Sequence, residues 1–323
     1  MKINTDNLTE ELTEARPNVK PNTIRQYEIQ LNKLKKVFES DDWNFLSNPD
    51  DVVDKLKSNK YTSQRNSYNA IIVLLMALNH DNKYDDLLEA YGKLRDTLNN
   101  KYIEDQQSGK LVSENQKQNF AELSEIQGMI SQMESEIKSK GLKSQKKLSG
   151  KEKELLMVFV IYSLLIRLPI RNDMAGMELI TKTQYNKLSE EQKKNTNYLV
   201  KEKASMFLVL NEYKTAKKYG EKKIDVPKDL EKIFRMYLKL TKKEAGEVLF
   251  VSSTGKPISR NAMSQLLLKT SKKYIGKGVS TTLMRKAVVS DKFGDMKKEQ
   301  AELADIMGHS VGVQNAVYNK ESN

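Results

Sequence analysis

The strongest constraint on the fold is one apolar segment, Leu155 to Leu168, in which nearly every side chain is hydrophobic. It is interrupted by Arg167 and followed by Pro169, so it is shorter than the roughly 20 apolar residues that span a bilayer. A helix that is apolar on all sides is typical of a protein core. We therefore predict a buried helix here, around which the neighbouring elements must pack.

The first half of the chain predicts further helices. Tyr27, Leu31 and Leu34 recur at helical spacing, and the same pattern returns in later segments up to residue 98. The sequence therefore predicts an N-terminal tail at 1–16 and a four- or five-helix domain at 17–100.

Residues 101–147 are mostly polar and predict a linker with a single helix. A thin apolar stripe marks this helix: Leu123, Ile126, Ile130, Met133 and Ile137. The stripe is too narrow for a separate domain, so we expect it to pack on a neighbouring element or on another copy of the protein.

A third region, 148–323, contains the one strand-like pattern. Ser205–Leu210 predicts a strand, Ala216–Glu221 a polar turn and Ile224–Val226 the returning strand. Helical patterns surround this hairpin. The predicted fold class is mostly α with a small antiparallel β-sheet.

The charge is divided unevenly between the two halves. The net charge is +12, but residues 1–150 carry 22 basic and 23 acidic side chains, whereas 151–323 carry 33 and 20. Val248–Ser290 contains basic side chains and no acid. A stretch this one-sided is typical of a surface that faces phosphates. We therefore expect a polyanionic partner.

Composition excludes several classes of site. The chain has no cysteine and two histidines, His80 and His309, which excludes zinc fingers, Fe–S clusters and thiol nucleophiles. It contains neither a phosphate-binding loop nor a hydrolase nucleophile elbow. The polar stretch Met1–Glu14 lacks the apolar core of a secretory signal. We predict no cofactor, no metal and no membrane association, and a soluble intracellular protein.

Basic residues and a tyrosine follow one another in a distinctive order. The motifs are Leu168-Pro169-Ile170-Arg171, Tyr213-Lys214-Thr215, Thr282-Leu283-Met284-Arg285, Gly308-His309-Ser310 and, nine residues after the histidine, Tyr318. This order resembles the tyrosine recombinase/phage integrase family over residues 17–323. The resemblance implies a helical core-binding domain followed by a catalytic domain at 148–323.

The resemblance also implies a role for each residue. Arg171 and Arg285 would hold the non-bridging oxygens of a DNA phosphodiester, where charge builds up in the transition state. Tyr318 would be the nucleophile that forms a 3′-phosphotyrosyl link. His309 would contact the phosphate or assist the proton loss of Tyr318, and Lys214 would protonate the departing 5′ oxygen.

Three alternatives stay open in this assignment. Lys217 or Lys218 could take the role of Lys214, because they lie on the same turn. Thr282 stands where the family usually has histidine or lysine; its hydroxyl can donate a hydrogen bond but carries no charge, which Lys286 could supply. Asp173 could be the acid that orients the Arg171 guanidinium.

The expected partner is double-stranded DNA, bound by a homo-tetramer, without a small-molecule substrate. Further DNA contacts are expected from the basic residues Lys217, Lys218, Lys256, Arg260, Lys272, Lys273 and Lys286. Only Asn319–Asn323 follow Tyr318, too few for the C-terminal helix that many family members exchange, so the stripe at 123–137 is the candidate assembly contact.

Two other functions fit parts of the pattern. A type IB topoisomerase shares the chemistry, but enzymes of that class and length tend to carry a β-rich N-terminal domain. A DNA-binding protein on a decayed recombinase fold would explain Thr282. The Lys-, Asn- and Ile-rich composition indicates an AT-rich genome such as that of a virus or mobile element, and in a eukaryotic host the nucleus or a viral replication compartment.

Overall fold

The computed structural model describes residues 3, 5, 7–108, 110–111, 113–252, 254–308 and 310–315. The chain divides into two compact units, Met1–Val112 and Ser113–Asn323. Among the described residues, no helix is both long and apolar enough to cross a membrane.

The described residues of the first unit form helices and no strand. These are α1 (Leu8–Ala15), α2 (Pro21–Phe38), α3 (Pro49–Leu56), α4 (Tyr61–Leu78) and α5 (Asp85–Gln107). Proline stands at the first position of α2 and α3, where its missing N–H costs nothing. Helix α4 packs against α1, α2 and α5.

Apolar and aromatic side chains from all five helices form the core of this unit. Tyr91 is fully buried, and its hydroxyl donates to the Leu46 carbonyl at 3.0 Å, so the buried polar atom is satisfied. Residues 8–15, which we assigned to an N-terminal tail, form α1, and Leu12 is buried in this core.

The second unit is built from ten helices and four strands within its described residues. The elements are α6 (Glu114–Asn119), α7 (Leu123–Ser139), α8 (Gly150–Arg167), β1 (Glu178–Thr181), α9 (Lys182–Lys187), α10 (Glu190–Lys194), β2 (Tyr198–Lys201), β3 (Met206–Leu210), α11 (Ala216–Tyr219), β4 (Lys222–Asp225), α12 (Lys228–Thr241), α13 (Arg260–Ile275), α14 (Thr281–Ile306) and α15 (Val311–Val313).

Helix α8 is the centre of the second unit, as its apolar sequence predicts. Every residue from Leu155 to Leu165 is buried, and α7, α12, α13 and α14 pack around it. Ser149 and Glu152 form a capping box that satisfies the first backbone N–H groups. The helix ends before Pro169, which cannot continue the backbone hydrogen-bond ladder.

The apolar stripe of α7 is buried inside the second unit. Ile126, Met129 and Met133 are fully buried, and the helix packs against α8. Polar contacts also connect it to α13 and the turn that follows, because Tyr274 donates to Glu136 and Lys277 pairs with Glu125 at 2.7 Å. The suggestion that this stripe mediates assembly is therefore wrong, since its side chains are already covered.

The sheet is mixed, in the order β1-β2-β3-β4. The predicted hairpin is present, because β3 and β4 pair antiparallel on either side of a turn that contains α11. Strand β2 also pairs antiparallel with β3, but β1 runs parallel to β2. The fold class is mostly α with a small sheet, as predicted. Two of its three strand pairs have the predicted antiparallel direction, and β1 and β2 are parallel because α9 and α10 form the crossover that a parallel pair requires.

Candidate active site

The turn after α8 leaves Arg171 exposed and buries the second and third residues after it. Arg171 precedes a 3-10 turn at Asn172–Met174, in which Asp173 is 6% exposed and Met174 fully buried. The Asn172 side chain donates to Ser264 on α13. Arg171 is therefore an exposed cation on a segment whose backbone is anchored in the core.

Helix α14 carries Arg285, whose guanidinium feels the charge of Arg171. Ser280 caps the helix, its hydroxyl accepting from the Leu283 amide at 3.2 Å, and Met284 and Val288 are buried. Burial lowers the pKa of the half-buried Arg285 guanidinium, and the charge of Arg171 lowers it further. The two arginines, 114 residues apart in sequence, thus share one electrostatic environment.

The buried acid in this environment is Asp173. Burial raises the pKa of its carboxyl, whereas the positive charges of Arg260, Arg171 and Arg285 oppose that rise. Its ion-pair partner is Arg260, with an N–O distance of 3.6 Å. We suggested that Asp173 orients Arg171; the contact in the structure is instead with Arg260, while Arg171 acts on Asp173 through its charge.

Lys214 lies in the connection between β3 and β4, four residues beyond the end of β3. Its side chain is exposed, and Lys217 and Lys218 are exposed on the short helix α11. The Tyr213 hydroxyl donates to the Gly220 carbonyl at 2.7 Å, which closes the turn. The three lysines share one turn, so the choice of general acid among them stays a prediction.

Two residues that the sequence analysis did not select connect these segments. The buried Asn197 carboxamide hydrogen-bonds both the Arg171 turn and the start of the Lys214 connection. Glu212 pairs with Arg260 at 3.3 Å. The only sequence signal for Asn197 is a polar residue directly before the apolar strand Tyr198–Val200, which does not reveal its partners.

The predicted DNA-binding residues have different surroundings. Arg260 is engaged by Asp173 and Glu212, so its charge is partly neutralised. The Lys286 ammonium donates to Gln116 of α6 at 2.9 Å, and whether it supplies the charge that Thr282 lacks stays a prediction. The other members of the group are exposed on the second unit: Lys217, Lys218, Lys256, Lys272 and Lys273.

The described residues include four of the six predicted catalytic positions. Thr282 is exposed in the first turn of α14, one helical turn before Arg285. His309 and Tyr318 lie outside the described residues. Within the part that is described, no group of three or more His, Asp or Glu side chains could hold a metal ion.

Comparisons with known proteins found likeness in structure and none in sequence. No family model matches the chain, and no curated protein matches its sequence. The crystal structure of XerA recombinase is similar with a TM-score of 0.36 and 12% identity, over 98% of this chain and 95% of that one.

Proposed function

We propose that this chain is a tyrosine-type site-specific DNA recombinase that needs neither metal nor ATP. The observation that carries the proposal is that Arg171 and Arg285, from distant segments, act through their charges on each other and on the buried Asp173. Bringing two guanidiniums together costs Coulombic repulsion, which a bound phosphate would relieve. Guanidiniums also match the oxygens of a phosphodiester in a bidentate fashion.

The proposed reaction is a reversible transesterification. The Tyr318 oxygen attacks phosphorus, the bond to the 5′ oxygen breaks, and a 3′-phosphotyrosyl link conserves the energy of the phosphodiester. Lys214 gives its proton to the 5′ oxygen as that bond breaks. A 5′ hydroxyl from another strand then attacks the phosphotyrosine, releases Tyr318 and rejoins the DNA.

The remaining residues would stabilise the charge that develops during this reaction. Arg171 and Arg285 hold the non-bridging oxygens, and His309 donates to the phosphate or assists Tyr318. The Thr282 hydroxyl, on the same side of α14 as Arg285, adds a neutral hydrogen bond. Four protomers would exchange strands between two duplexes through Holliday-junction intermediates.

Duplex binding would use the exposed basic residues of the second unit. The acid-free segment Val248–Ser290 supplies Lys256, Lys272 and Lys273, all exposed. Each phosphate contact releases condensed counterions, so affinity for DNA should fall steeply with salt.

The deciding experiment uses a pool of randomised DNA duplexes, each with a nick in one strand. Cleavage near the nick releases a short fragment, so the strand cannot be rejoined and the covalent intermediate is trapped. Wild-type protein should form a denaturant-resistant adduct, whereas Tyr318→Phe should form none. Tyr219→Phe is the matched control, because Tyr219 is an exposed tyrosine of the same unit (57% exposed). An adduct that persists in Tyr318→Phe would mean that another tyrosine is the nucleophile.

A type IB topoisomerase is the second candidate, since it would use the same residues. The described residues of the first unit form helices and no strand, which favours the recombinase. Efficient relaxation of supercoiled DNA at sub-stoichiometric protein, without junction formation, would reverse this preference. Duplex binding without any adduct would instead indicate a catalytically decayed DNA-binding relative.

A further inference from the structure

The Asn197 side chain lies between the two segments that carry Arg171 and Lys214. It is 5% exposed and stands just before β2, outside the regular sheet. Its Nδ2 donates to the Asp173 carbonyl at 2.6 Å and to the Glu212 carbonyl at 2.9 Å. Its Oδ1 accepts from the backbone amides of Asn211 and Glu212, both at 2.8 Å.

These four hydrogen bonds use both N–H donors and both oxygen lone pairs of the carboxamide. The orientation of the amide is determined by its partners, because backbone N–H groups can only donate and carbonyls can only accept. Removing the side chain would take these partners from the buried Asp173 carbonyl and from the part-buried amides of Asn211 and Glu212, which is costly. The Glu212 carbonyl would keep its hydrogen bond from Arg260 at 3.0 Å. One residue therefore specifies the distance between two segments that are far apart in sequence.

The anchored atoms are close to the proposed chemistry on both sides. Asp173 is two residues after Arg171, and Glu212 is two residues before Lys214. Arg260 adds a second bridge between the same two segments, but it is 44% exposed on its side chain and therefore accessible to water. The buried connection is the one at Asn197.

We propose that Asn197 is a positioning residue, which holds Lys214 at the leaving 5′ oxygen while Arg171 holds the phosphate. The inference rests on the proposed function and identifies the residue that aligns two of its parts. Asn197 itself contacts neither DNA nor the reacting atoms. Its loss should slow the chemical step and leave the affinity for duplex DNA unchanged.

The test compares two leaving groups on a duplex selected from the nicked pool. In the ordinary duplex a 5′ alkoxide leaves and needs a proton; in a duplex with sulfur at the bridging 5′ position, the P–S bond breaks and a stable thiolate leaves without one. Asn197→Leu should cleave the ordinary duplex about 10²-fold more slowly, toward the lower range of a positioned general acid. The sulfur duplex should restore cleavage to within about threefold of wild type.

Lys214→Ala and Asn195→Leu are the reference variants. Lys214→Ala should show the same rescue by sulfur, whereas Asn195→Leu, an exposed asparagine two residues away, should match wild type on both duplexes. Equal slowing of Asn197→Leu on both duplexes, or no slowing on either, would overturn the proposal.

A second measurement separates this inference from the proposed function and from simple unfolding. In the DNA-free protein, hydrogen exchange of the Asn211 and Glu212 amides should accelerate at least about tenfold in Asn197→Leu, while amides of α8 exchange as in wild type. Asn197→Asp keeps the acceptors for these two amides and loses both donors, so their exchange should stay within about threefold of wild type.

Unchanged exchange of the two amides in Asn197→Leu would overturn the positioning role whether or not the protein cleaves DNA. If wild type forms no adduct with either duplex, the proposed function fails. Accelerated exchange would then still establish that Asn197 holds the two segments together.

Discussion

The segments that carry Arg171 and Lys214 present the same kind of side chain in two different settings. Arg171 follows the most deeply buried helix, and the next residues return at once into the core. Lys214 stands in a connection that leads outward to α11, whose lysines are exposed. The Arg171 segment is fixed by helix α8 before it and by the buried Asp173 and Met174 after it. The Lys214 segment is fixed by strand β3 before it, whereas the lysines of α11 after it are exposed.

This difference indicates which neighbouring residues would fix the positions of Arg171 and Lys214 in the proposed site. Neither cation is buried, but each has a buried or hydrogen-bonded neighbour two residues away, and Asn197 connects those neighbours. A charged group that must meet a charged substrate stays accessible, since burying it alone would be costly. The backbone beside it can be fixed without that cost.

The largest effect should come from the two arginines that we propose to bind the phosphate. Arg285→Ala should lower the rate of adduct formation about 10²–10³-fold, equivalent to ~3–4 kcal/mol, because a preorganised donor to the developing charge is lost. Single-turnover cleavage of the selected duplex measures this. Arg285→Lys should recover little, because an ammonium cannot bind two oxygens in the guanidinium geometry. Lys269→Ala, which removes an exposed charge from α13, is the control, and a similar loss there would argue against a specific role for Arg285.

A smaller effect should distinguish Lys214 from its neighbours. Lys214→Ala should slow cleavage of an ordinary duplex about 10²-fold with full recovery on the sulfur-bridged duplex, because only proton transfer is lost. Lys217→Ala and Lys218→Ala should leave the chemical rate within about threefold and reduce the salt slope of duplex binding by up to about one each. Sulfur rescue in either of those variants would reassign the general acid.

The buried carboxyl should make stability depend on pH in a defined direction. Because burial raises the pKa of Asp173, the protonated form is favoured in the folded state, so stability from this group is full below its unfolded pKa and is lost as pH rises through the folded one. Relative to Asp173→Asn, wild type should therefore lose unfolding free energy as pH rises above about 4. Denaturant titrations across pH 3–8 measure it. Asp225→Asn, at an exposed position, is the control. If the unfolding free energy of wild type rose relative to that of Asp173→Asn with increasing pH, the predicted direction would be wrong.

The smallest effect is expected at Lys286. Its ammonium donates to Gln116 on α6, so Lys286→Ala should change the cleavage rate less than about twofold and the unfolding free energy by about 0–1 kcal/mol. Gln116→Ala should change the unfolding free energy by a similar amount to Lys286→Ala, as measured by denaturant titration. A loss above tenfold in the cleavage rate of Lys286→Ala would show that this lysine leaves α6 when DNA binds and supplies the charge that Thr282 lacks.

Much of the helical structure follows from local sequence pattern. Leu155 to Leu165 can only be buried, and Ser149 with Glu152 marks where that helix begins. The strands β1 and β2 are four residues each, too short for an alternating pattern, and their parallel pairing depends on a crossover that no local signal specifies. The stripe of α7 is visible in the sequence, but its partner, α8, is not.

The sequence by itself determined the buried central helix, the hairpin, the basic second half and the order of charged residues that led to the proposed chemistry. These properties depend on side-chain type and spacing along the chain. Tertiary structure alone decided that Arg171 and Arg285 act on each other through their charges, that Asp173 pairs with Arg260, that Lys286 donates to Gln116 on α6 and that Asn197 joins the segments that carry Arg171 and Lys214. Each of these depends on atoms far apart in sequence, and their distances exist only after the core around α8 has packed.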